Sequence, residues 1–140
     1  MLTNGNINKS DYLGIVIAQS LIDGEVEPPA RILCKKHLNT WDFLLVAVVD
    51  TALDEHIHML QANMVAETVW YAHYFRNQQL VVVFRDAIFR ASLDKNTWEP
   101  IVKYGLKNGI PLEQLDFNPA TEKGAIKFFN IGEIGKDTTP

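Results

Sequence analysis

The stretch VWYAHYFRNQQLVVVFRDAIFRAS, residues 69–92, constrains the fold more than any other part of the chain. It is the densest apolar segment, and it lies inside a run, 31–99, that holds no glycine and no proline. Two strand-like runs flank Asn77 and Gln78, which predicts a β-hairpin with a tight turn there. Asn tolerates the left-handed backbone that such a turn needs. In that register Phe75 faces Leu80, His73 faces Val82, Tyr71 faces Phe84 and Val69 faces Asp86. On the other side Tyr74 faces Val81, Ala72 faces Val83 and Trp70 faces Arg85. A longer loop over 76–79 keeps the same pairs. Both faces are then rich in large apolar groups. One carries Val69, Tyr71, Phe75, Leu80, Val82, Phe84 and Ile88; the other carries Trp70, Tyr74, Val81, Val83 and Phe89. A sheet with one wet face alternates apolar and polar residues. This stretch does not, so each face needs a cover.

The rest of the chain has to supply it. Leu13, Val16, Ile17, Ser20 and Leu21 fall at helical spacing, with Gly24 as a stop, and predict a helix over 10–23. Pro28 and Pro29 break the chain. Residues 30–38 read as a short helix or an edge strand, the helix being preferred. The apolar run 43–49 predicts a strand buried on both faces, with a buried helix starting at Thr40 as the alternative. Leu53, Ile57, Leu60 and Met64 predict an amphipathic helix over 52–66. Trp98, Ile101, Val102 and Leu106 predict another over 97–108, where Gly105 marks close packing and Gly109 closes the helix. Pro111 opens a short turn, and 125–131 reads as a last strand. Residues 1–8 and 133–140 are expected to be flexible. The fold class expected is single-domain α+β: an antiparallel sheet centred on the 69–91 hairpin and packed by three or four helices.

Charge and cysteine content narrow the partners. Lys plus Arg number 13 and Asp plus Glu 17, a net charge of −4. That lacks the basic footprint of nucleic-acid or anionic-membrane binding, so a nucleic-acid partner is disfavoured. The longest apolar run is far short of the roughly 20 residues that span a bilayer. Cys34 is the single cysteine, so no intrachain disulfide forms, and a cytoplasmic setting is expected.

Few residues announce chemistry. His73 lies in mid-strand among apolar neighbours, with Tyr71 and Asp86 on its face and Arg85 beside them. These four, Tyr71, His73, Arg85 and Asp86, are the candidate ligand-binding group. Trp70 opposite Arg85 suits a cation–π pair, and Arg85, Asp86 and Arg90 read as guards of an edge strand. His56 and His58 sit about 200° apart on the predicted helix, share no face, and read as partly exposed. Cys34 beside Lys35, Lys36 and His37 has the surroundings of a lowered thiol pKa, yet nothing completes a catalytic set, and an idle thiol is expected. Phosphate-cradling glycine motifs are absent from 31–99. No metal centre and no cofactor is expected.

The segment IAQSLIDGEVEPPARIL, 17–33, resembles the opening of a GntR-type winged-helix repressor domain through Leu21, Gly24 and Pro28. The family's Pro-Gly is Pro28-Pro29 here, and the stretch that follows is too apolar for a recognition helix. The resemblance is therefore not adopted, and a winged-helix DNA-binding regulator ranks last of three readings. First is a binding or regulatory module acting as a homodimer, or with another protein partner, through Trp70, Tyr74, Val81 and Val83. Second is a small-molecule binder or enzyme with a pocket between sheet and helix around His73.

Overall fold

The structure, a computed structural model, describes residues 11–131. The ends expected to be flexible, 1–8 and 133–140, lie outside the described residues. The described residues form six strands, β1 (Tyr12–Ile17), β2 (Arg31–Leu38), β3 (Trp41–Val48), β4 (Tyr71–Arg76), β5 (Gln79–Phe84) and β6 (Ala87–Ser92). Three α-helices accompany them, α1 (Leu53–Asn63), α2 (Glu99–Lys107) and α3 (Glu122–Phe129). The strands make one antiparallel sheet in the order β2-β3-β1-β4-β5-β6, so the fold is α+β. No helix among the described residues is long and apolar enough to cross a membrane.

β1 sits between β3 and β4, and both pair with it antiparallel. β3 and β4 are thus parallel to each other, and the connection between them must cross a face of the sheet. α1 makes that crossing, packing Leu53, Ile57 and Leu60 onto Val16, Val46, Tyr74, Val81 and Val83. The opposite face, with Ile15, Leu45, Phe75, Leu80, Val82 and Phe84, is covered by Trp98 and Ile101 around α2, by Leu115 and Phe117 beyond it, and by Ala125 and Phe129 of α3. Both apolar faces of the hairpin are therefore covered from within the chain. The predicted pairs Phe75–Leu80, His73–Val82 and Tyr71–Phe84 are present, and Asn77 holds φ 55° in the turn.

Four expectations are corrected. Residues 12–17 form β1, not part of a helix over 10–23, which also removes the first helix of the winged-helix reading. β1 carries Ile15, Val16 and Ile17 in succession, β-branched residues that favour a strand. Residues 31–38 form β2, an edge strand with a bulge between Ile32 and Cys34. Residues 125–129 belong to α3, where the Thr121 hydroxyl accepts from the Gly124 N–H and Asn130, at φ 55°, closes the helix. Finally, β5 stops at Phe84, and Arg85–Asp86 forms a second tight turn into β6. That turn exchanges two side chains: Ile88 pairs with Val83 and Phe89 with Val82, so each lies on the face opposite to that expected.

Candidate functional site

β4 positions the candidate site. His73 pairs with Ile15 of β1 on one side and with Val82 of β5 on the other, which fixes its ring on the face covered by the C-terminal segment. Tyr71, two residues away, points the same way. Facing them is the loop from Glu113 to Pro119, tied down by Leu115 and Phe117 in the core. Between the sheet and this loop lies a cavity of about 220 Å³. Its apolar wall is Ile15, Ile17, Phe43 and Phe128; its polar wall is Tyr71, His73, Glu113, Gln114, Asp116 and Asn118.

The hydrogen bonds fix which groups donate and which accept. His73 Nε2 lies 2.8 Å from the Pro119 carbonyl oxygen, which can only accept, so Nε2 carries the proton. Nδ1 then presents a lone pair; it has no partner among the described residues and is not sealed from solvent. The Tyr71 hydroxyl donates to the Gln114 carbonyl at 2.6 Å, leaving its oxygen as an acceptor. Asn118 commits its Nδ2 to Asp116 Oδ1 at 2.9 Å. Desolvation pushes the His73 ring down to about 4; the bond to Pro119 and the Asp116 carboxylate oppose that shift and lose. Burial, assisted by the Asp116 charge, pushes the Tyr71 phenol well up. At neutral pH both groups are uncharged.

The other two proposed ligand-binding residues are elsewhere. Arg85 and Asp86 occupy the β5–β6 turn, exposed and paired with each other at 3.1 Å, and they line a separate small cleft with Val69 and Tyr104. The pairing of Trp70 with Arg85 does not form: β4 begins at Tyr71, and Trp70 packs edge-on against Trp41 at 5.5 Å. The proposed interface residues Tyr74, Val81 and Val83 are buried under α1 and are not a surface for a second chain; Trp70 is half-buried at the margin of that core. The Cys34 thiol is pushed up by burial rather than lowered by its lysines, and His37 is engaged by Asp42 at 2.7 Å.

Sequence reasoning missed one buried polar pair. His56 on α1 is 2% exposed, and its Nε2 lies 2.6 Å from the Tyr74 hydroxyl. That hydroxyl has no other acceptor among the described residues, so it donates to the ring. The signal was present in the helix spacing: His56 stands three after Leu53 and four before Leu60, on the apolar face. Its ring also lines a smaller cavity of about 100 Å³ with Asp23, Glu25 and Glu27. Those three carboxylates offer oxygens within 4.8 Å of one another, and all are exposed. The Asp23 carboxyl is held low by the Asn63 amide and the Glu25 N–H, so its charge is already met by donors of the chain itself.

A wider, more open cleft of about 360 Å³ between 67–70 and 108–114 contains no buried titratable side chain. The His73 cavity is the larger of the two described cavities in which a buried histidine and apolar side chains share a lining, about 220 Å³ against about 100 Å³. No family model, curated protein or solved structure matches this chain, so its function is argued from the chemistry of this site.

Proposed function

We propose that the chain is a small-molecule-binding module whose ligand enters the cavity between the sheet and the 113–119 loop. The observation that carries this reading is His73, a residue 5% exposed whose Nδ1 has no protein partner among the described residues, lining a cavity that also has an apolar wall of Ile15, Ile17, Phe43 and Phe128. That lone pair meets no protein donor among the described residues, and a ligand N–H or O–H can take the place of water there. The same ring favours binding over turnover. A histidine titrating near 4 is a weak base at neutral pH, and a phenol pushed up by burial is a weak acid. Both serve as fixed hydrogen-bonding groups. The single cysteine suits a reducing, cytoplasmic setting, and the charge of −4 disfavours nucleic acid.

The test is NMR shift mapping with a mixture of small organic probes. Shifts are expected to cluster at Ile15, Ile17 and His73, and Ile17→Trp, which fills the cavity, should abolish them. Scattered shifts that survive Ile17→Trp would remove the reading.

A second reading is self-association through β6. This edge strand has no proline, no bulge and one charged residue, Arg90, whereas the β2 edge carries a bulge and two lysines. Light scattering that shows a strict monomer at micromolar concentration disposes of it.

A further inference from the structure

We infer that the ligand of the His73 cavity is a small organic cation, an amine carried on an apolar body. The inference rests on the binding reading above and adds the chemical class. It starts from the acceptors of the polar wall, which the buried His73, the half-buried Tyr71 and two carboxylates supply. His73 Nδ1 offers a lone pair, and the Tyr71 oxygen offers another because its proton is spent on the Gln114 carbonyl. Asp116 and Glu113 add carboxylates, which accept only. On the donor side, Asn118 Nδ2 spends one of its two N–H groups on Asp116 Oδ1, which leaves its second N–H and the Gln114 amide, both on exposed residues, as the side-chain donors of the wall. A molecule satisfying these acceptors must bring donors, and an ammonium group brings up to three and no acceptor.

Charge points the same way. The described lining residues include two carboxylates and no lysine or arginine. The Asp116 carboxylate is close enough to bias the titration of both His73 and Tyr71. Lys36 is a described cation that touches one lining residue, Phe128. Its ammonium is already engaged there, donating to the Phe128 carbonyl at 2.6 Å and sitting 4.4 Å over the ring. The remaining wall, Ile15, Ile17, Phe43 and Phe128, suits an aliphatic or aromatic body, and the Tyr71 and Phe43 rings add cation–π attraction. At about 220 Å³ the cavity is smaller than the roughly 300–1,000 Å³ of drug-sized sites. A ligand with one ring or a short chain fits that limit.

The experiment is a calorimetric titration at pH 7 with matched probes: phenethylamine and hexylamine, their neutral analogues phenethyl alcohol and hexanol, and the anions hydrocinnamate and hexanoate. The nitrogen resonances of His73 are followed in parallel. The amines are expected to bind at least about tenfold more tightly than the alcohols and to shift Nδ1. Their affinity should fall with added salt, as expected for exposed rim carboxylates. Asp116→Asn keeps the acceptor used by Asn118 and is expected to weaken the amines about tenfold while leaving the alcohols unchanged, with Glu113→Gln as the second variant. Alcohols binding as tightly as amines, or anions binding more tightly, would overturn the cation while leaving the pocket reading in place. If no probe moves the His73 resonances of the folded protein, both readings fall.

Discussion

Tyr74 lies across the backbone of Gly14, its cross-strand partner, and its hydroxyl reaches His56 on α1. A glycine inside a strand often marks such a close approach. A Cβ at position 14 would clash with the ring edge of Tyr74, which has no room to shift because it is fully buried and hydrogen-bonded. Gly14→Ala is therefore expected to destabilise the fold by about 1–3 kcal/mol or more, as overpacked cores do, read as a lower urea midpoint. The two buried histidines set a second residue-scale outcome. An unfolded histidine takes up its proton near 6.5, whereas His56 and His73 do so at about 4 in the fold. Between those values the unfolded chain holds more protons. Stability is complete above about pH 6.5 and falls as the pH drops toward 4, by on the order of 1 kcal/mol per pH unit per histidine. Urea midpoints measured in pH steps should fall less steeply in His73→Gln than in the parent. Parallel curves would show that His73 is not buried neutral.

At the scale of elements, the C-terminal segment matters most to the site. Phe117 is fully buried against Tyr71 and Trp98, with ring centroids 5.2 Å away in both pairs, and it pins the loop that roofs the cavity. Phe117→Ala is expected to cost about 3–5 kcal/mol and to speed exchange of the 113–119 amides. If exchange there does not change, the loop is held by something else. This segment was the least legible part of the chain. The pairing of β4 with β5, from Tyr71–Phe84 to Phe75–Leu80, could be read to the residue because Asn77 gives a turn and both flanking runs are long, whereas the turn at Arg85–Asp86 could not. The cavity roof comes from 113–119, where no periodicity speaks, so the partner of His73 was invisible while His73 itself was not. β1 was misread for a different reason. A central strand buried on both faces loses alternation, and YLGIVI then satisfies a helical spacing as readily as a strand. In β2 the bulge at Leu33 breaks the alternation. The helix α3 was hidden by its eight-residue length and by Gly124, though Thr121 and Asn130 cap it from either end.

One sheet serves two cores, and this governs how the whole molecule should unfold. Along β5, Leu80, Val82 and Phe84 point into the core roofed by α2 and α3, while Val81 and Val83 point into the core under α1. β1 and β3 divide their side chains in the same way: Ile15 and Leu45 go to the first core, Val16 and Val46 to the second. Stripping either helical layer exposes an apolar face of the strands that support the other, so neither core is expected to persist alone. A variant keeping only Trp98 reports the first core, and a variant keeping only Trp70 reports the margin of the second. Urea titrations of the two by fluorescence, each overlaid on its own far-ultraviolet circular dichroism curve, should give coincident single transitions. The slope expected for a domain of this size is about 1–3 kcal/mol per molar urea. If the Trp70 signal moves before its circular dichroism curve while the Trp98 curves coincide, the α1 layer melts separately and the two cores are independent units. Coincidence in both variants makes the sheet the single cooperative element through which the His73 cavity is held.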